Sequence, residues 1–304
     1  MGMLVRDVLA LGNKRLAEAG IESSKYDAEE LYCFMNGLER GRLFMEWARE
    51  VDDKSIEEYF NVLDVRAGGR PLQYITGHQE FMGFDFKVNE SVLIPRQDTE
   101  VLVSEALAII EKDKKIKKIM DLCTGSGAIG ISVAKLAGGT SVTATDISTE
   151  ALAVAECNAK TLGAKVNFAQ GDLFEAVKKR FGKATFDMII SNPPYIRSDV
   201  IGTLMTEVKD HEPRLALDGG DDGLDFYRRI IEEAPMHLNE GGWLLFEIGH
   251  DQAEDLAEIA AAVKTTEKKA RKKSGAEELS VYEPAKIVKD LAGLDRVVIL
   301  KKRV

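Results

Sequence analysis

The residues best suited to chemistry are Asn192, Pro193, Pro194 and Tyr195, which follow an apolar run in "FDMIISNPPYI". Neither proline donates a backbone hydrogen bond, so a sheet ladder stops there. The four residues then bring an amide, two rigid carbonyls and an aromatic face to one strand end. That set suits the transfer of a carbon to a planar NH2 group, whose delocalised lone pair makes it a poor nucleophile. No side chain of ordinary basicity deprotonates such a nitrogen in advance. What helps is to accept hydrogen bonds from both N–H groups, hold the lone pair toward the donor and exclude water. Asn192 Oδ1 supplies one acceptor and the Pro193 carbonyl another, with Pro194 keeping it rigid and the Tyr195 ring packing on the flat group. Alignment of this kind is worth roughly 7–11 kcal/mol, so the motif needs no catalytic histidine. Taken alone, it also reads as a proline-terminated strand with a packing tyrosine.

Three other segments bear on that choice. "MDLCTGSGAIG" is a strand followed by a Gly-rich turn, where Gly125 and Gly127 admit a ligand to the backbone and the helix from Ala128 points free N–H groups inward. Asp146 ends "SVTATD" about 20 residues beyond the glycines, the place of an acid that accepts both ribose hydroxyls. Asp172, in "QGDLF", either receives an adenine amine or caps the next helix. Asp146 has the same capping alternative, with Ser148 and Thr149 able to do that job instead. A Gly turn and two acids on successive strand ends point to an adenosyl ligand. The pattern serves NAD and S-adenosylmethionine alike.

The elements that position these residues alternate strictly. Strands are expected at "KKIMDL", "SVTATD", "KVNFAQ", "FDMIIS" and "GGWLLFEIG", with helices between, which predicts a parallel α/β sheet covered on both faces. "AKIVKDLAGLDRVVILKK" reads as an antiparallel pair at one edge. Upstream, Val5, Val8, Leu9, Leu16 and Ile21, then Ala28, Leu31, Tyr32, Met35 and Leu43, recur at helical spacing. "EFMGFDFKVN" carries Phe81, Phe84 and Phe86 around Gly83 and predicts a β-hairpin. The expected division is a helical domain over 1–70, a hairpin linker over 71–95 and the α/β domain over 96–304. The Lys-rich run around residues 264–273 reads as a solvated helix end or loose loop, or else as a patch for a negatively charged assembly.

The 304 residues are 45% apolar and 30% charged, the balance of an ordinary globular protein. A net charge of −10 argues against a broad nucleic-acid footprint. Cys33, Cys123 and Cys157 are scattered, with no CxxC pair, and the four histidines have no metal-ligand spacing. A cytoplasmic protein is expected, with no membrane span, no metal and no direct nucleic-acid contact; a monomer is expected.

At this point the sequence resembles the protein-glutamine N5-methyltransferases that modify the Gly-Gly-Gln motif of peptide chain release factors. The resemblance rests on "RPLQYITGHQEF", "VLIPRQDTE", "DLCTGSGAIGI", "SNPPYI", "EPRLALDGGDDGLDFYRRI", "LLFEIG" and "KDLAGLDRVV", and covers nearly the whole chain. It implies a Rossmann-like class I methyltransferase sheet with an antiparallel edge strand, plus a small all-α domain that helps dock the release factor. It implies S-adenosylmethionine, released as S-adenosylhomocysteine, held by Cys123, Thr124, Gly125, Ser126, Gly127, Asp146, Leu173 and Asn192. Asp172 joins these as the adenine-side acid. The glutamine amide falls to Asn192, Pro193 and Tyr195, beside Pro194. Arg96, Thr99 and Glu100 of "IPRQDTE" are implied to lie near the active site, with an Arg96–Glu100 ion pair as the structural alternative. Cys123 stands where glycine is frequent and Leu173 where some members carry an aromatic residue, while "RQDTE" replaces the more usual "RPETE". Ribosomal-protein glutamine methylation, adenine-amine methylation and a non-catalytic nucleotide-binding role are the rival readings.

Overall fold

A computed structural model describes residues 2–264 and 279–304; the Lys-rich run lies almost wholly outside the described residues. In chain order the elements are β1 (Met3–Leu4), α1 (Val5–Glu18), α2 (Ser24–Asn36), β2 (Glu50–Val51), α3 (Asp53–Ala67) and α4 (Leu72–Thr76). Then come β3 (His78–Phe81), β4 (Phe84–Lys87), α5 (Thr99–Lys112), β5 (Lys118–Leu122), α6 (Ala128–Leu136), β6 (Ser141–Asp146) and α7 (Thr149–Leu162). β7 (Val166–Gln170), α8 (Glu175–Phe181), β8 (Phe186–Ser191), α9 (Thr206–Lys209), α10 (Asp225–Glu233) and β9 (Leu238–Glu247) follow. The chain closes with α11 (Ala253–Ala262), β10 (Lys286–Lys289) and β11 (Asp295–Lys301).

Two compact units result. The helical unit runs to His78 and takes back Leu204–His211; the sheet unit holds Gln79–Thr203 and Glu212–Val304. In the helical unit Val5, Val8, Leu16, Leu31 and Leu63 are fully buried, as the helical spacing predicts. A two-residue ladder between β1 and β2, with Met3 opposite Val51, supplements the helices. Gly12 sits mid-helix because the buried Tyr59 crosses there: a Cβ at Gly12 would lie 2.4 Å from the Tyr59 hydroxyl oxygen. That hydroxyl donates to the Ala28 carbonyl at 2.9 Å. Arg66 is buried with Asp27 at 2.7 Å and reaches Glu207 of the returning segment at 2.9 Å.

The sheet unit carries a seven-stranded sheet in the order β10-β11-β9-β8-β5-β6-β7. The five strands from β9 to β7 are parallel, and β11 runs antiparallel to both β9 and β10. Period-two alternation feeds two cores. Ile119, Val142, Ile190 and Val297 meet α5, α6 and α7 on one face, while Met120, Ile189, Leu244 and Val298 meet α10 and α11 on the other. Full burial of each such side chain stabilises by roughly 1.5–3 kcal/mol. α5, α9 and α11 are helices that the alternation did not single out. The β3–β4 hairpin turns through Met82 and Gly83, both at positive φ (53° and 76°). That is the backbone of a two-residue type I′ loop. No helix among the described residues is long and apolar enough to cross a membrane.

Strand order reverses between β5 and β8, since the chain builds β5, β6 and β7 in one direction and then places β8 on the other side of β5. Ligands of open parallel sheets bind beyond the strand ends at such a switch point.

Candidate active site

The Gly-rich turn leaves β5 through three residues in the left-handed region: Cys123 (φ 59°), Gly125 (φ 54°) and Gly127 (φ 83°). The Thr124 amide donates to the Thr145 carbonyl at 3.0 Å, which fastens the turn to β6. Gly127 is dictated by packing, because a Cβ there would sit 2.6 Å from Ile131 Cδ1 and 3.1 Å from Ala155 Cβ. At Gly125 a Cβ would point into open space. Cys123 and Leu173 (φ 45°) are non-glycine residues in a conformation that costs of order 1–3 kcal/mol each, and both border the same cavity. This left-handed φ is the physical reason a glycine suits the first turn position.

Asp146, at the end of β6, accepts from the Gly125 amide and from the Ser148 amide, each at 2.9 Å. It does not cap the following helix; Ser148 does, accepting from the Ala151 amide at 3.0 Å. Burial pushes the Asp146 carboxyl above its ordinary range. Asp172 is not a helix cap either. Its carboxylate pairs with Arg229 at 2.6 Å, and both line the cavity.

At the end of β8 the backbone is clamped. The Ile196 amide donates to the Leu217 carbonyl at 2.9 Å, and the Gly219 amide donates to the Ile196 carbonyl at 2.8 Å. Gln252 Nε2 donates to the Tyr195 carbonyl at 3.1 Å. Side chains at Gly219 and Gly223 would collide with this strip: a Cβ at Gly219 would lie 2.7 Å from Tyr195 Cα, and one at Gly223 would lie 2.4 Å from the Tyr195 carbonyl oxygen. "LDGGDDG" is therefore the mould that holds Asn-Pro-Pro-Tyr, a role the sequence reading did not assign to it.

These strand ends enclose a cavity of about 370 Å³, within the size range of small-molecule sites. Cys123, Thr124, Gly125, Ser126, Asp146, Asp172, Leu173, Asn192 and Pro194 all line it. Gly127, Pro193 and Tyr195 are not on its wall. Pro193 is buried, and the half-buried Tyr195 ring packs on the core beneath α10 and α11. Arg96 and Thr99 also line the cavity. The Arg96–Glu100 pair does not form: Arg96 holds both carboxylate oxygens of Glu212 at 2.7 and 2.8 Å. Glu100 instead accepts from the Met82 amide at 2.6 Å, bracing the strained hairpin turn.

Two buried acids were missed. Asp121 lies behind the Gly turn, accepting from the Thr124 hydroxyl at 2.6 Å and the Gly130 amide at 2.9 Å. Its other oxygen has no partner among the described residues. Burial raises its carboxyl to about 7. Glu247, 1% exposed at the end of β9, lies 3.4 Å from the Tyr195 hydroxyl, and burial raises it to about 6. The available signal was an acid inside an otherwise apolar strand, in "IMDL" and in "LLFEIG".

The chamber suits an adenosyl group. A carboxylate has about four acceptor sites, and the backbone occupies two at Asp146, leaving the rest for vicinal hydroxyls beside the open Gly125.

Known proteins resemble the chain along its length. Residues 98–211 match the Methyltransferase small domain family and residues 7–77 match the PrmC N-terminal domain family. A release factor glutamine methyltransferase of Clostridium acetobutylicum is 42% identical, with 84% of this chain and 90% of that protein aligned. One of Moorella thermoacetica is 39% identical over 99% of both chains. Among solved structures, a methyltransferase from Pyrococcus furiosus is 18% identical with a TM-score of 0.47, covering 73% of this chain and 91% of that one.

Proposed function

The chain belongs to the release factor glutamine methyltransferases, and on that premise we propose that it methylates the side-chain amide of the glutamine in the Gly-Gly-Gln motif of a release factor. The observation that supports this reading is Asn192, next to the clamped strip, lining the same cavity as the Gly turn and Asp146.

S-adenosylmethionine, when bound, supplies a methyl group on a positively charged sulfur. Asp146 holds the ribose hydroxyls, and the turn from Cys123 to Gly127 leaves room for the amino acid portion. Asp172, paired with Arg229, and Leu173 border the adenine. Asn192 Oδ1, on the cavity wall, accepts an N–H group of the glutamine amide, so its lone pair is directed at the methyl carbon. Held there, the donor would give its methyl carbon to the amide nitrogen and depart as a neutral thioether, the displaced amide proton being released to solvent. The mould around Pro194 and Tyr195 holds the strip that carries this acceptor, so little reorganisation remains at the moment of transfer.

Labelled S-adenosylmethionine offered in parallel to a purified release factor, a ribosomal protein mixture and an adenine oligonucleotide tests the reading. Label on the glutamine of the release factor is expected; label in the oligonucleotide alone, or in ribosomal protein alone, overturns it. Asn192→Ala should lower turnover by roughly a hundredfold or more with circular dichroism unchanged. Near-normal turnover in that variant removes Asn192 from the mechanism.

A further inference from the structure

The strand ends give the cavity a direction. Along the sheet they run β8, β5, β6, β7, carrying Asn192, the Gly turn, Asp146 and then Asp172 with Leu173. A cofactor that offers its methyl group at Asn192 and its ribose at Asp146 must lay its base at the β7 end. The strand ends provide little flat surface there. Asp172 is a carboxylate, Leu173 is buried, and Ile147, after β6, is aliphatic. α10 supplies what they lack: its half-buried Phe226 and its Arg229 also line the cavity. At i and i+3 these two share a face of the helix, and the Arg229 guanidinium carbon lies 5.9 Å from the centre of the Phe226 ring.

Two hydrogen bonds fix α10 in that place. Arg229 Nη2 donates to Asp172 Oδ2 at 2.6 Å, joining the helix to the end of β7. The Asp225 amide donates to the Gly219 carbonyl at 3.1 Å, tying the start of the helix to the loop that packs on Asn-Pro-Pro-Tyr. We infer that α10 is the second jaw of an adenine subsite. Phe226 packs against the purine as a cofactor-binding residue, and Arg229 is a positioning residue that holds Asp172 so that its Oδ1 accepts the exocyclic amine. This inference rests on S-adenosylmethionine as the occupant of the cavity and needs no particular methyl acceptor.

Each residue has a separate task. An aromatic ring offers a purine an electrostatic complement that the aliphatic Leu173 and Ile147 do not. A carboxylate anchored through one oxygen keeps the other at a fixed place, and both oxygens only accept. A base with an oxo group in place of the amine therefore brings nothing to donate there. The Arg229–Asp172 pair is about half exposed, and ion pairs at that exposure add little to folding. Loss of cofactor affinity without loss of stability is thus the mark that separates positioning from scaffolding.

Titration calorimetry on the full chain tests this with S-adenosylhomocysteine and two relatives of it. Methylthioadenosine keeps the adenosine but lacks the amino acid end; S-inosylhomocysteine carries an oxo group in place of the amine. The wild type should bind S-adenosylhomocysteine at least about tenfold more tightly than the inosyl compound, the loss of one hydrogen bond to a charged group. Phe226→Ala should weaken both adenosyl compounds by the same factor, roughly ten- to a hundredfold, and Phe226→Tyr should restore them. Arg229→Gln should weaken S-adenosylhomocysteine by about fivefold with an unchanged urea midpoint, and should add nothing in a chain already carrying Asp172→Asn. Equal affinity for the adenosyl and inosyl compounds overturns the subsite, and that comparison needs no variant to fold. A Phe226→Ala loss seen with S-adenosylhomocysteine but not with methylthioadenosine overturns the role of Phe226, and additive losses at Arg229 and Asp172 overturn that of Arg229. A wild type that binds no adenosyl compound defeats the cofactor reading itself, whereas binding that the variants leave untouched defeats the second jaw alone.

Discussion

At the level of single residues, the site divides its work between groups that face the cavity and groups that hold them. Asp146 does both, because the carboxylate that borders the cavity also ties Gly125 to Ser148. Asp146→Ala should therefore weaken S-adenosylmethionine binding by roughly ten- to a hundredfold, the loss of a hydrogen-bonded charge. Titration calorimetry on the purified chain measures this, and an unchanged dissociation constant would remove Asp146 from the ribose. Residue types alone reveal many of the cavity-facing groups, since Gly125, Asp146, Asp172 and Asn192 announce themselves by what they are. The holders are quiet. Asp121 and Glu247 look like interruptions of apolar strands, and only the fold shows that each ends within reach of a site residue.

At the level of elements, the strand–helix alternation was legible because burial on both faces leaves unbroken apolar runs in the strands. The helical stripe was legible for the same reason at a different period. Partner choice was not. Arg66, Asp27 and Glu207 are far apart in sequence, and nothing local says that they meet. Pro193 and Tyr195 were read as substrate contacts, yet of the tetrapeptide only Asn192 and Pro194 line the cavity, and the loop from Asp218 to Gly223 that packs on it is remote in sequence. Gly12 shows how a tertiary contact outweighs propensity. Alanine is about 1 kcal/mol better than glycine inside a helix, so a reading of α1 alone would favour Gly12→Ala. With the Tyr59 oxygen 2.4 Å from the new Cβ, the substitution should instead destabilise by roughly 1–3 kcal/mol, the cost of overpacking. Urea unfolding followed by circular dichroism provides the measurement; a more stable variant would show that Tyr59 moves aside freely.

At the level of the whole molecule, the buried acids make stability depend on pH. Asp121 titrates near 7 in the folded chain against an ordinary 3.8. A carboxyl raised in this way contributes stability that is fully present below its ordinary value and is lost as pH rises through about 7. His237 works in the opposite sense. Burial lowers its pKa, so its contribution is present above the ordinary 6.5 and is lost as pH falls. Comparing the wild type with Asp121→Asn separates the two, since both chains carry His237. The stability of Asp121→Asn relative to wild type should rise between about pH 5 and 8, as read from urea midpoints. A constant difference would mean that Asp121 does not titrate in that range.

The return of residues 204–211 to the helical unit has a practical corollary. The first 78 residues look like a detachable module, and a shortened protein beginning at Gln79 is the natural thing to clone. Such a fragment would still carry an orphaned loop whose Glu207 has lost the guanidinium of Arg66, and whose Thr206 has lost the glycine at 69 against which it rests. Trimming from the front thus disturbs the stretch that leads straight into Glu212, the carboxylate that grips Arg96 at the cavity. The two units are sewn together by the thread itself, and neither is obtained intact with a single cut.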